Sequence, residues 1–263
     1  DGGATKTSFV LADKEGNVIN AIKLPSSNPF DIGFEKSVEI LQQGINEVTK
    51  GISKRKISLY AGLSGGVFGN MQDRFKEFFS NLGFFKAENG CDAHNIVKAG
   101  LGSKDGAVII MGTGSSTLVQ KDGELTRIGG YGYLFDGLGS GYDIGRDGIR
   151  YSLADENGIG EKTLITELIR QKTNQDTVLG NLPYFYSIGK SGIASFCPLV
   201  FEAYDRGDKA ARQILYDNMK HIAFMIDRAH KMLAKDFDVV LVGGLTKRFD
   251  VLSPIISEHL NKM

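Results

Sequence analysis

The stretch IIMGTGSSTLV, residues 109–119, runs an apolar segment into Gly112, Thr113, Gly114, Ser115 and Ser116 and out again, with no charge. Two chemistries fit it. Glycine supplies the backbone angles of a tight hairpin while hydroxyls bond locally. The same residues also make a cup of backbone N–H groups and small hydroxyls shaped for phosphate oxygens. The composition recurs: DGGATKTSFVLADKEGNVI, from residue 1, parallels MGTGSSTLVQKDGELTRI, from Met111. Each has a Gly-rich turn, then Ser or Thr, an apolar strand, a charged turn closing at Gly16 or Gly123, and a second strand. Turn chemistry accounts for the Gly16 and Gly123 corners. It does not account for the pairing of glycine with hydroxyls in both first turns. On the residues alone both readings stay open, and the repeat points to two related subdomains.

The elements that must position these turns are legible in outline. FEKSVEILQQGINEV carries Phe34, Val38, Leu41, Ile45 and Val48 at helical spacing. ISLYAGLSGG reads as a buried strand ending in glycines, NMQDRFKEFFSNL as an amphipathic helix, and DAHNIVKAGLG as a helix with Asp92 at its N-cap. Several helices follow the second hairpin. A long one, from about Asp208 to Lys235, has Ile214, Leu215, Ile222, Phe224, Met225 and Ile226 as buried positions. DVVLVGGL reads as a buried parallel strand leading through Gly243 and Gly244 into a last helix. Strand–helix alternation around hairpins gives an α/β protein of two domains, with the boundary near residues 102–107, hence domains 1–104 and 105–263.

Composition excludes several classes. Thirty-one basic residues balance 31 acidic ones, so no global field recruits nucleic acid or a membrane. No apolar run approaches the ~20 residues that span a bilayer. Two cysteines, Cys91 and Cys197, support neither a disulfide framework nor a four-thiolate metal site, and a reducing, cytoplasmic setting fits. No signal peptide is visible. The turn-like opening and the helical ending, LNKM, lead us to expect that both ends are incomplete. Gly189-Lys190-Ser191 is no Walker loop, since that motif needs glycine where Tyr184 stands and a preceding strand. No dinucleotide fingerprint occurs, and the four histidines lack zinc-ligand spacing.

Taken in order, DGGATKT, SSNPF, NGCDAHNIVKAGLG, MGTGSS, GGYGYLFDGLGSGYDIGRDGIR and LVGGL resemble the N-acetylglucosamine kinase family, placed with the BadF/BadG/BcrA/BcrD-type ATPases in the actin-like sugar-kinase superfamily. The resemblance covers nearly the whole chain. It implies two ribonuclease-H-like, actin-like domains with ATP and sugar in the cleft between them. It also implies Mg²⁺, and ATP-dependent phosphorylation of an amino sugar at its primary hydroxyl. The sugar would be N-acetylglucosamine, glucosamine or a muramic-acid type, the role carbohydrate metabolism or cell-wall recycling, and a homodimer is compatible.

Residue by residue, the resemblance makes Asp1 the carboxylate that holds water around Mg²⁺. Gly2, Gly3, Ala4, Thr5 and Lys6 become the first phosphate loop and Gly112, Thr113 and Gly114 the second. Ala194, Gly243, Gly244 and Lys247 fall at adenosine. Asn28, Ser115, Ser116, Gly130, Tyr131 and Gly132 fall at the sugar, as does Asp92, which is also the catalytic base. One departure stands out. The family usually reads Gly-Asp-Glu-Gly-Ser after the substrate loop, where this chain reads Asp136-Gly137-Leu138-Gly139-Ser140. Asp136 then substitutes by a one-residue shift, or a different hydroxyl pattern is read. Two other classes compete: an ATPase that activates acyl-CoA dehydratases, which needs cysteines around an iron–sulfur cluster, and a non-catalytic sugar-sensing domain.

Overall fold

The computed structural model describes residues 1–3, 6–136 and 138–263. The chain packs into two compact units, Asp1–Ala99 and Gly100–Met263.

The first unit opens on an antiparallel hairpin, β1 (Lys6–Ala12) and β2 (Val18–Pro25). Asp13 sets its corner, its carboxylate accepting from the Glu15 and Asn17 N–H groups at 3.0 and 2.8 Å. A one-turn helix, α1 (Pro29–Ile32), leads to α2 (Phe34–Val48), whose Leu41, Ile45 and Val48 pack on Phe9 and Leu11 of β1. β3 (Ser58–Gly62) and β4 (Lys86–Gly90) pair in parallel around α3 (Met71–Ser80), which buries Phe75 and Phe79 in the same core. Only the end of β3 is buried, at Ala61 and Gly62, so the expected buried strand is half exposed. α4 (Asp92–Leu101) follows directly.

The second unit holds a four-stranded sheet in the order β7 (Glu124–Ile128), β6 (Ser115–Lys121), β5 (Gly106–Met111), β8 (Asp238–Val242). β5 and β6 pair antiparallel from Met111↔Ser115, so Gly112–Gly114 is the turn between them. The β6–β7 corner, Asp122 and Gly123, has φ of 52° and 81°. Positive φ at both central residues is the requirement of the tight turns that match strand twist. β8 is parallel to β5, as its sequence suggests, but lies at the sheet edge half-buried. The helices are α5 (Gly141–Glu156), α6 (Leu164–Thr173), α7 (Leu182–Ser187), α8 (Gly189–Ala194), α9 (Cys197–Asp205), α10 (Lys209–Leu233) and α11 (Phe249–Leu260). Ile144, Ile165, Val200, Leu215 and Ile222 are among their core residues. α10 starts one residue after its N-cap, Asp208, whose carboxylate accepts from the Ala211 N–H at 2.8 Å. Phe224, read as a core position on α10, is half exposed, because the apolar stripe there is carried by Ile222, Ala223 and Met225. No helix among the described residues is long and apolar enough to cross a membrane.

Candidate functional site

In the first unit, residues around Gly2 draw together. The Gly2 N–H donates to the Gly62 carbonyl at 2.8 Å, and the Ser64 N–H donates to the Gly2 carbonyl at 2.7 Å. The chain start is thereby stitched to the end of β3. Gly3 closes a turn, its N–H on the Lys6 carbonyl at 2.9 Å. Thr5 lies outside the described residues, and Lys6 is the exposed first residue of β1. Asn28 caps α1, its Oδ1 accepting from the Phe30 N–H at 3.0 Å. Its Nδ2 donates to nothing among the described residues.

Asp92 differs from the expectation by one position: it is the first helical residue of α4, not the cap. The turn begins at Cys91, whose carbonyl accepts from the His94 N–H at 3.1 Å. Asp92 Oδ1 accepts from the Ala93 N–H at 2.9 Å and from the Cys91 thiol at 3.1 Å. Oδ2 has no partner among the described residues. One helical turn on, Asn95 Nδ2 donates to Asp1 Oδ1 at 3.4 Å. Asp1, Gly2, Asn28 and Asp92 thus belong to one unit, and Asn95, which no motif marks, ties Asp1 to the helix that begins at Asp92.

In the second unit the turn Gly112–Gly114 is held from several sides. The Gly112 N–H closes on the Gly114 carbonyl at 2.9 Å. The Gly141 N–H, at the start of α5, donates to the Gly112 carbonyl at 2.7 Å, and the Tyr142 N–H to the Thr113 carbonyl at 3.3 Å. Gly243, at φ 109°, passes so close that any β-carbon there would collide with the Met111 carbonyl. A β-carbon on Gly141 would lie 4.0 Å from that of Ala194. Gly112, Thr113, Gly114, Ala194 and Gly243 are therefore neighbours. The N–H groups of Thr113 and Gly114 have no partner among the described residues. The turn is a hairpin corner, and one that leaves two backbone donors spare among the described residues. Lys247 is exposed, and a β-carbon on Gly244 would meet nothing within 4 Å.

A second cluster lies along β6. A β-carbon on Gly130 would fall 2.7 Å from the Ser116 β-carbon. Asp136 Oδ2 accepts from the Gly130 and Tyr131 N–H groups at 2.6 and 3.2 Å, and the Asp136 N–H donates to the Gly132 carbonyl at 2.9 Å. Asp136 thus shapes the loop. Ser115 is buried, whereas Tyr131 is 69 % exposed. Gly137, the missing acid of the departure, lies outside the described residues. Beneath, Ser140 and Asp143 form a capping box at the start of α5. Asp143 is buried; burial raises its pKa, and the Ser140 hydroxyl and Arg146 partly offset this.

Elsewhere a groove of about 510 Å³ includes Asp155, Glu156, Thr163, Thr166, Arg170 and Asp208 in its lining. Its polar groups serve one another: Thr166 donates to Asp155, Arg170 to Glu156 and Thr163 to Asp208. It is a structural joint between helices. No group of three or more His, Cys, Asp or Glu among the described residues could hold a metal ion. Sequence reasoning passed over Lys190, because its triplet fails as a Walker loop; in the fold its Nζ comes within 3.2 Å of where a Gly114 β-carbon would stand.

Three comparisons bear on this arrangement. The chain is 28% identical to an N-acetyl-D-glucosamine kinase of Dictyostelium discoideum, over 99% of this chain and 88% of that one. It is 26% identical to an N-acetylmuramic acid/N-acetylglucosamine kinase of Clostridium acetobutylicum, over 99% and 89%. In fold it is similar to a Chromobacterium violaceum protein provisionally described as an N-acetylglucosamine kinase, with a TM-score of 0.81, 23% identity and coverage of 98% and 91%. It is also similar to a ROK family glucokinase of Streptomyces griseus solved with glucose and AMPPNP, at a TM-score of 0.58, 17% identity and coverage of 99% and 86%. A model of one family matches residues 1–263, the full span in which both clusters lie, and the chain belongs to the BadF/BadG/BcrA/BcrD ATPase family.

Proposed function

We propose that the chain is an ATP-dependent amino-sugar kinase that phosphorylates a primary hydroxyl. The observation that carries the nucleotide half is the uncharged Gly112–Gly114 turn with the spare Thr113 and Gly114 N–H groups. Glycines there let the backbone approach phosphate oxygens that a side chain would hold off. The sugar half is supported by relatives named for N-acetylglucosamine, for N-acetylmuramic acid with N-acetylglucosamine, and for glucosamine. In this reading the two units are ribonuclease-H-like, actin-like domains, and each contributes residues toward ATP and sugar. Gly2, Gly3 and Lys6 face phosphates, Ala194, Gly243, Gly244 and Lys247 face adenosine, and the setting is cytoplasmic.

Phosphoryl transfer needs positioning and charge stabilisation more than covalent help. Asp92 takes the proton of the sugar hydroxyl on Oδ2 as the hydroxyl oxygen attacks the γ-phosphorus in line and ADP leaves. Oδ1 is already committed to Ala93 and Cys91, which fixes the carboxylate's orientation. Asn28 offers its Nδ2 to a sugar oxygen, and Ser115, Ser116, Gly130, Tyr131, Gly132 and Asp136 line the sugar from β6 and its loop. Mg²⁺ keeps several waters and takes few protein ligands, so the exposed Asp1 carboxylate, steadied by Asn95, suits it. Magnesium there would neutralise phosphate charge.

The activator alternative is not favoured by the cysteines. Burial pushes the Cys197 thiol up to about 12, and Cys91 donates to Asp92; cluster ligands are thiolates. An ADP-release assay over glucose, glucosamine, N-acetylglucosamine, N-acetylmannosamine, muramic acid and N-acetylmuramic acid tests the proposal. Turnover with one or more amino sugars is expected. ATP binding without turnover on any of them would leave a sugar sensor instead.

A further inference from the structure

We propose that Lys190 is a further phosphate-binding residue of this site, its ammonium gripping the nucleotide's polyphosphate above the Gly112–Gly114 turn; this deepens the kinase reading and rests on it. Lys190 is the second residue of α8. A β-carbon on Gly114 would lie 3.2 Å from its Nζ and 3.9 Å from its Cε, and no other neighbour comes within 4 Å. The ammonium therefore stands over the face of the turn. Lys190 is a half-buried residue, and its ammonium makes no hydrogen bond or ion pair among the described residues.

A cation on a half-buried residue with no partner of its own favours a counter-charge beside it. The turn below offers it none, since Gly112, Thr113 and Gly114 carry no acidic side chain. What the turn does offer is two spare N–H groups. Two unpaired donors and one unpaired cation beside the same turn are complementary to an anion with several oxygens. A polyphosphate meets that description, and lysine serves as a compact point charge toward it.

The fold holds Lys190 in this place. The start of α8 is set by Gly189 at φ 61°. Its far end packs on α5 at Gly145, where any β-carbon would collide with the Ile193 carbonyl. Lys172 Nζ donates to the Ser195 carbonyl at 2.9 Å, which pins the end of the helix. The lysine thus reaches a phosphate turn from a separate helix, with a geometry unlike a Walker loop, where lysine and turn are one segment.

The test is calorimetric titration of AMPPNP into the parent, Lys190→Met and Lys190→Arg, with melting temperatures and steady-state kinetics. Lys190→Met is expected to weaken AMPPNP binding by at least about tenfold, as loss of a charge-assisted contact does. It should raise the KM for ATP but not for sugar, and melt like the parent; Lys190→Arg should recover most of the affinity. A folded Lys190→Met that binds AMPPNP as the parent does overturns the assignment while leaving the kinase reading standing. So does lost affinity that comes with lowered melting and no recovery in Lys190→Arg, which would make the residue structural. A parent that binds no AMPPNP overturns both.

Discussion

At the scale of single residues, the separation of roles on the Asp92 carboxylate is the most useful feature. One oxygen is occupied by Ala93 and Cys91 and the other has no partner among the described residues. Asparagine in its place keeps an oxygen for those same donors but cannot take a proton. Asp92→Asn is therefore expected to melt near the parent, to retain sugar affinity, and to lose at least ~100-fold in kcat, the range of general-base help. Turnover close to the parent rate would reduce Asp92 to a helix residue. The residue type and the start of a helix could be read at this position, since Asp suits a first turn. The exact cap could not, because the Cys91 carbonyl rather than the Asp92 side chain starts the turn. Asp136 was legible as a member of its loop but not as its clasp. That role depends on the positive φ of Gly130 and Gly132, 75° and 95°, which bring the two ends together.

At the scale of elements, two joints around α5 are expected to matter. Gly145→Ala sets a methyl against the Ile193 carbonyl, a backbone atom that cannot swing aside. A loss of about 1–3 kcal/mol in urea denaturation is expected, as for other overpacked sites, together with a raised KM for ATP as α8 shifts. Unchanged stability would mean that α8 yields freely. Glu156, at the other end of α5, is held differently. Burial works against its charge, but the Val178 and Leu179 N–H groups and Arg170 outweigh it and keep its pKa below the ordinary value. A depressed folded-state pKa gives stability that is present above the unfolded value and is lost as pH falls through the folded one. Glu156→Gln should thus be less stable than the parent at neutral pH, with the gap closing in acid; denaturation across pH 3 to 7 checks this. Helix α2 was legible to its ends, since five apolar residues mark its face and Gly33 precedes it. Helices α7 and α8 were not separately legible: six residues each make too few turns for a period to show. The approach of α8 to the turn is decided by packing at Gly145, which no local pattern encodes.

At the scale of the whole molecule, the proposed site residues divide between units with separate cores. Hydrogen exchange should register that division. AMPPNP is expected to slow exchange in the second unit at residues 112–116, 189–195 and 243–247, and in the first around Gly2, Gly3 and Lys6. Sugar should slow it around Asn28 and Asp92 in the first unit and around Gly130–Gly132 in the second. Sugar protection confined to one unit would contradict the assignment of sugar contacts to both. The α/β alternation and the two hairpins were readable because local turn chemistry sets them. How well each strand is covered was not, because β8 lies at an edge.

The loop clasped by Asp136 has one more property. It projects Tyr131, Leu134 and Phe135, each at least 69 % exposed, in a chain with nine tyrosines and no tryptophan. A Tyr131→Trp substitution would introduce the molecule's single indole at a position where solvent already surrounds the ring. Its emission would then report the polarity around that loop alone, free of any background from the core. The protein's composition thus provides an optical channel on sugar capture, readable without a coupled enzyme or a labelled ligand.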